Sequence, residues 1–290
     1  MSDLAQAYVQ IIPSADGMKG KLTKLLGGDA EEAGVSSGKV FSNALGGAAK
    51  VGVAALASAT AAAAAGVTAL VKASVSAYAD YEQLIGGVET LFGEISKTTD
   101  ASAQVVQNAG NAYKTAGLSA RDYMETATSF AASLMASLEY DGAAAAKAAD
   151  QAVTDMADNA NKMGTSMESI QNAYQGFAKQ NYTMLDNLKL GYGGTKTEME
   201  RLLKDAEKLS GVKYDINNLA DVYEAIHVIQ GELGITGTTA KEASTTISGS
   251  IAAAKAAWSN LVVGIADDNQ NFSKLVNNLV DCVSVAGENV

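Results

Sequence analysis

Residues 163–188 read MGTSMESIQNAYQGFAKQNYTMLDNL and contain the clearest periodic pattern in the chain. Mostly apolar residues recur there at alternating spacings of four and three. The eight positions are Met163, Met167, Ile170, Tyr174, Phe177, Asn181, Met184 and Leu188. This is a heptad repeat, which keeps one side of a helix facing a partner helix. The pattern predicts an interhelical seam, with an ordinary buried helix face as the alternative.

The predicted seam also contains residues that modify it. Asn181 is polar, and a polar seam residue commonly fixes the register or the number of helices. Gly164 and Gly176 weaken the prediction of one uninterrupted helix. We expect homo-oligomeric helices, with the number of copies left open.

The composition favours helices throughout. The chain has 290 residues but a single proline, Pro13, and much of its 48% hydrophobic content is alanine. Proline breaks helix interiors, whereas alanine has the highest helix propensity. Aromatic residues make up only 6%, which favours thin contacts between helices over a bulky core. We therefore predict an all-α fold of long helices, extended or bundled, with coiled-coil-like seams.

Four segments can be distinguished along the chain. Residues 1–45 form a mixed segment in which YVQIIP (8–13) is compatible with a short strand ended by Pro13. Residues 46–78 form an Ala/Gly-rich hydrophobic helix, and residues 79–268 form the main helical region. Residues 269–290 are a C-terminal helical segment that we expect to be truncated.

Capping-box spacing predicts three helix starts, because a Ser or Thr three residues before an acidic residue can satisfy free backbone N–H groups. The pairs are Ser119 with Asp122, Thr195 with Glu198, and Thr239 with Glu242. After the third start, apolar residues again recur at helical spacing between Ile247 and Ile265. Trp258 is the largest of them, and we predict that it anchors a helix interface.

The stretch VGVAALASATAAAAAGVTALV (51–71) has the length of a membrane span and no charge between Lys50 and Lys72. Ten of its 21 residues are alanine, which contributes little to membrane insertion. Three interpretations are open: a permanent anchor, helix packing in an assembly, or conditional insertion. A membrane-active protein, a pore former or toxin built around residues 46–77, is the corresponding alternative function.

Several function classes are disfavoured. The net charge is −11 and no basic run occurs, which argues against a nucleic-acid surface. Cys282 and His227 are the only residues of their types, so the sequence has no pattern for a disulfide framework or a zinc site. The loop GYGGTK (191–196) lacks P-loop spacing. We predict no catalytic, cofactor-binding or metal-binding residues, His227 at the edge of a helix, and acidic residues on helix exteriors.

Four stretches together carry a family resemblance. They are AYADYEQLIGGVETLFG (77–93), GLSARDYMETATSF (117–130), the block 158–211 and the block 234–267. In this order they resemble the N-terminal and central region of the phage tail tape measure protein family of Gram-positive phages and prophages. The resemblance covers about two thirds of the chain. Family members are usually much longer, so we expect a fragment, a truncated gene product or a shortened relative.

The resemblance implies a non-enzymatic, structural role. It implies a helical rod in the lumen of the tail tube, assembled in the host cytoplasm and involved in tail length determination and genome delivery. The implied partners are tail tube and tail tip proteins, tail assembly chaperones and, on ejection, the host membrane. No catalytic residue carries over from the family.

Overall fold

The computed structural model describes residues 21, 60–94 and 101–289, and it confirms the all-α prediction. Within these residues the chain forms ten α-helices and no strand. The predicted short strand at 8–13 lies outside the described residues. So does the part of the predicted hydrophobic helix that precedes Thr60.

Most of the described helices follow one another with short connections. They are α1 (Thr60–Val88), α2 (Ala101–Thr115), α3 (Ala120–Ser137), α4 (Gly142–Met163), α5 (Met167–Phe177), α6 (Lys196–Ser210), α7 (Leu219–Glu232), α8 (Thr238–Thr245), α9 (Ile247–Ala266) and α10 (Phe272–Glu288). A π-helical turn (Glu89–Glu94) continues α1, and a 3₁₀ turn (Leu185–Leu188) lies between α5 and α6. In the described part of the chain, no helix combines the length and apolarity needed to span a membrane.

The chain divides into two compact units. The first comprises Met1–Ala79 and Leu261–Asn277, and the second comprises Asp80–Asn260 and Asn278–Val290. In the first unit, the Lys21 ammonium group donates hydrogen bonds to two backbone carbonyls at the end of α9, those of Gly264 (3.0 Å) and Asp267 (2.7 Å). The last carbonyls of a helix lack intrahelical partners and carry partial negative charge, so Lys21 caps this helix end.

Two of the three predicted helix starts are confirmed in the second unit. Ser119 is the N-cap of α3 and Thr195 is the N-cap of α6, each accepting a 3.2 Å hydrogen bond from the backbone N–H three residues later. The third prediction is wrong, because α8 begins after Gly237 and no side chain of its own caps it. Thr239 lies inside the first turn of that helix.

Helix α4 is the centre of the second unit, where it packs against α2, α3, α5, α7 and α8. Its buried face carries Ala145, Ala149 and Ala152, with Met156 one turn further on. Small side chains let neighbouring helix backbones come close, so a 22-residue helix can contact five others. Closely packed helices leave little space between them. The second unit therefore has a core although only 6% of the chain is aromatic.

Residues 163–188 do not form one continuous helix, and the predicted coiled-coil-like seam is not confirmed. Helix α4 ends at Met163, where Gly164 adopts a left-handed conformation with φ 64°. Ser166 then caps α5, and α5 ends at Phe177. The Asn181 N–H donates to the carbonyl oxygen of Gly176 at 2.9 Å, which closes a turn. Local capping groups therefore end the helices although the spacing of apolar residues continues. The periodic residues run from α4 through α5 to the 3₁₀ turn.

The start of α9 lies close against the end of α8, and this contact predicts the effect of two glycine substitutions. A Cβ atom at Gly249 would collide with the backbone of Glu242, whereas one at Gly110, in the exposed middle of α2, would meet nothing within 4 Å. We expect Gly249→Ala to lower the free energy of unfolding by about 1–3 kcal/mol through overpacking. We expect Gly110→Ala to raise it by up to about 1 kcal/mol through helix propensity.

Urea denaturation of both variants and the wild type measures these changes. Equal effects of the two substitutions would contradict the close approach of α8 and α9.

Candidate functional site: a buried Asp-His cluster

The structure distributes the predicted interface residues over different surroundings. In the second unit Ile170, Tyr174, Phe177 and Leu188 are buried, Met163, Met167 and Trp258 are half-buried, and Asn181 and Met184 are exposed. The buried members pack against other helices of the same unit. Binding to helices of another copy stays a prediction.

Three helices meet at an aromatic cluster. The rings of Tyr174 on α5 and Tyr223 on α7 lie with centroids 4.9 Å apart, and Phe130 on α3 contacts Tyr223 edge to face at 5.4 Å. The Tyr223 hydroxyl donates to the backbone oxygen of Tyr174 at 3.0 Å. Edge-to-face and tilted contacts suit the charge distribution of aromatic rings, and each adds about 0.5–1.5 kcal/mol beyond burial. The cluster thus fixes α5 and α7 against α3.

Beside this cluster, an acidic side chain is paired with the only histidine. Nδ1 of His227 on α7 lies 2.8 Å and 3.0 Å from the two carboxylate oxygens of Asp155 on α4. The Asp155 side chain is 2% exposed and that of His227 is 32% exposed. An isolated buried carboxylate is strongly disfavoured, so the imidazole supplies the partner that Asp155 requires.

The environment shifts the proton affinity of both groups upward. Burial raises the pKa of Asp155 to about 6, although the hydrogen bond from His227 acts in the opposite direction. The hydrogen bond to Asp155 raises the pKa of His227 above its ordinary 6.5, and the nearby carboxylates of Glu224 and Asp158 add to this rise. The pair therefore binds protons more tightly in the folded chain than in the unfolded chain.

A second buried carboxylate lies three residues further along α4. The two oxygens of Asp158 accept hydrogen bonds from the backbone N–H groups of Gly237 at 2.6 Å and Thr239 at 2.8 Å. Asp158 is fully buried. Its carboxylate thus caps the N-terminus of α8 from another helix, where the helix dipole favours negative charge.

Further polar side chains surround these two carboxylates. The Gln230 amide donates a 3.4 Å hydrogen bond to the Tyr174 hydroxyl, and the Asn159 amide donates to the backbone oxygen of Leu188 at 3.0 Å. Three buried oxygen atoms find no hydrogen-bond partner among the described residues: Asn159 Oδ1, Gln230 Oε1 and Thr239 Oγ1. A buried polar atom without a partner lowers stability by about 1–3 kcal/mol, so this region is less well satisfied than the rest of the core.

The prediction that acidic residues lie on helix exteriors is wrong for Asp155 and Asp158, so this cluster was not predicted from the sequence. A signal was present in the segment DMADN (155–159), where two aspartates and an asparagine flank Met156 on the buried side of a helix. His227 is half-buried at the edge of α7, and its partner Asp155 is 72 residues away in sequence. Spacing along one helix does not indicate such a partner.

The chemistry of the cluster is that of a proton-binding, helix-joining site. The Asp155 carboxylate orients the imidazole of His227, and the pair can hold or release a proton at Nδ1 or at the carboxylate. In the described residues, no three His, Cys, Asp or Glu side chains are grouped as metal ligands would be. A separate, half-open groove of about 300 Å³ lies over Phe177, Gln180 and Asn217, and its lining contains no charged side chain.

Comparisons with family models, with curated proteins and with solved structures found no match to this chain.

The raised pKa values predict how stability depends on pH. The Asp155 contribution is complete below pH 3.8 and is lost as pH rises through about 6. The His227 contribution is complete below pH 6.5 and is lost above its raised pKa. The part of the unfolding free energy that depends on this pair should therefore fall with rising pH. Urea denaturation across this range should show a flatter pH profile for the double variant Asp155→Asn, His227→Gln than for the wild type.

The two single variants should differ at neutral pH. His227→Gln leaves a buried carboxylate without a cationic partner and should lower the unfolding free energy by about 3 kcal/mol. Asp155→Asn leaves a partly exposed imidazole that can still donate to the new amide oxygen, so its loss should be smaller. The loss in His227→Gln should also shrink at pH 5, where Asp155 carries a proton. Equal losses that do not depend on pH would contradict this account of the pair.

Proposed function

We propose that this chain is a structural protein of phage tail assembly, of the tape measure type. The observation that supports this most directly is the order of the family-like stretches on an all-helical structure. Residues 77–93 fall on α1 and its π-helical turn, and residues 117–130 fall on α3 and the turn before it. Residues 158–211 extend from the end of α4 through α6, and residues 234–267 include α8 and α9.

In this proposal the second unit is a compact helical module of the tail protein and not a segment of a continuous measuring rod. The division of residues 163–188 among α4, α5 and a 3₁₀ turn supports this assignment. A ruler needs a length proportional to residue number, which a single helix provides and a folded bundle does not. The module would act through contacts with the tail tube, the tail tip, the assembly chaperones or other copies of the chain.

The polar cluster supports a structural role for the same module. Asp155 joins α4 to α7, and Asp158 joins α4 to α8, so both buried carboxylates already serve as bonds between helices. Buried polar contacts of this kind restrict the ways in which helices can pack. A protein that assembles in many identical particles benefits from one fixed arrangement.

A tail insertion experiment tests the proposal. Val212 lies in the connection between α6 and α7 and is 54% exposed, so an epitope tag after it should leave both helices intact. In phage that encode the tagged chain, we expect the tag in purified tails. A second variant carries a helical insertion of about 28 residues at the same place. Its tails should keep their normal length, whereas a segment of a continuous helical rod would add about 42 Å.

Electron microscopy of the tails measures the length, and the tagged chain without the insertion is the matched control. Absence of the tag from intact tails would overturn the proposal. If the same protein then caused leakage of liposomes, the membrane-active alternative built around residues 46–77 would be favoured.

A further inference from the structure

Helix α8 has an attachment unlike those of its neighbours. None of the residues of α8 is buried, whereas seven residues of α7 are. Burial of apolar side chains is the main force that fixes a helix to a core. Polar contacts therefore account for more of the attachment of α8 than of α7.

The carboxylate of Asp158 supplies two of these contacts. It is fully buried, and its two short hydrogen bonds reach the backbone N–H groups of Gly237 and Thr239 at the start of α8. Hydrogen bonds to an ionised group are about twice as strong as neutral ones. The Thr238 hydroxyl adds a weaker contact of 3.4 Å to the backbone oxygen of Asp158.

Both the attached and the detached state of α8 can satisfy this carboxylate. In the attached state the two backbone N–H groups replace water, and in the detached state Asp158 becomes accessible to water again. The hydroxyl of Thr239 is buried without a partner in the attached state, so detachment would relieve an unsatisfied group. The two states therefore differ less in energy than they would if α8 buried an apolar face.

The connections at both ends of α8 contain residues at which a hinge motion could take place. Gly234 and Gly237 both adopt positive φ angles, 64° and 80°, in the connection that precedes the helix. Thr246 is extended, with φ −128° and ψ 152°, in the connection that follows it. Hinge motions are absorbed by a few residues at the ends of elements, as these are.

We propose that α8 is a releasable strap on the second unit and that Asp158 is the latch that holds it closed. The strap opens without unfolding α4 or α7, because its hydrogen bonds to α4 are confined to the start of α8. Opening exposes the Asp158 carboxylate to solvent. This proposal concerns the second unit alone and does not depend on the proposed role in tails.

Hydrogen–deuterium exchange of the full chain tests the strap. Asp158→Asn removes the charge and replaces one acceptor oxygen by a donor, so amides of α8 should exchange about tenfold faster than in the wild type. Amides of α4 and α7 should keep their protection. The matched control is Asp150→Asn, the same change on the same helix, at a carboxylate that accepts from the Tyr123 hydroxyl. It should leave exchange in α8 unchanged.

Unchanged exchange in α8 of Asp158→Asn would overturn the proposal, and so would an equal increase in α4, α7 and α8. If this variant does not fold, exchange of the wild type at low urea concentrations provides the second measurement. The amides of α8 should then open with a smaller free energy than those of α4 and α7. Equal opening free energies for the three helices would overturn the strap.

Discussion

The burial of two carboxylates on one helix constrains the whole second unit. Asp155 and Asp158 lie three residues apart on α4, and both are removed from water. Each carboxylate must find donors, because burying an unpaired charge is strongly unfavourable. The donors come from α7 for Asp155 and from the start of α8 for Asp158. The positions of α7 and α8 on α4 are therefore set by charge satisfaction as well as by packing.

The hydrogen bonds of these carboxylates add to a core that fixes the relative positions of the helices only weakly. The buried face of α4 is rich in alanine, whose side chains allow close helix approach but offer few interlocking shapes. Directional contacts must then select one register of the helices against each other. The aromatic cluster of Tyr174, Tyr223 and Phe130 does so for α3, α5 and α7, and the carboxylates do so for α7 and α8. The pairing of the buried Asp155 with the half-buried His227 also makes the strength of one of these contacts depend on pH.

The sequence predicted those features whose causes are local. Alanine content and scarcity of proline gave the all-α class, and the Ser119 and Thr195 caps depend on residues only three positions away. Thr239 has the same spacing but does not cap, because a carboxylate 79 residues away from Gly237 occupies the start of that helix. The heptad pattern over 163–188 does not form one helix for a related reason. The spacing of apolar residues indicates which residues are buried. The left-handed Gly164 and the N-cap Ser166 determine where α4 ends and where α5 begins.

The same distinction bears on how a sequence with a heptad pattern can form a compact unit. A heptad pattern is required by a continuous coiled coil, but short helices that pack into a bundle also present apolar residues at spacings of three and four. The two architectures differ in the residues between the apolar positions. Glycine with positive φ and a following N-cap residue favour the bundle, and both occur here between α4 and α5. A stretch that keeps the heptad spacing but lacks such a pair therefore favours a continuous helix.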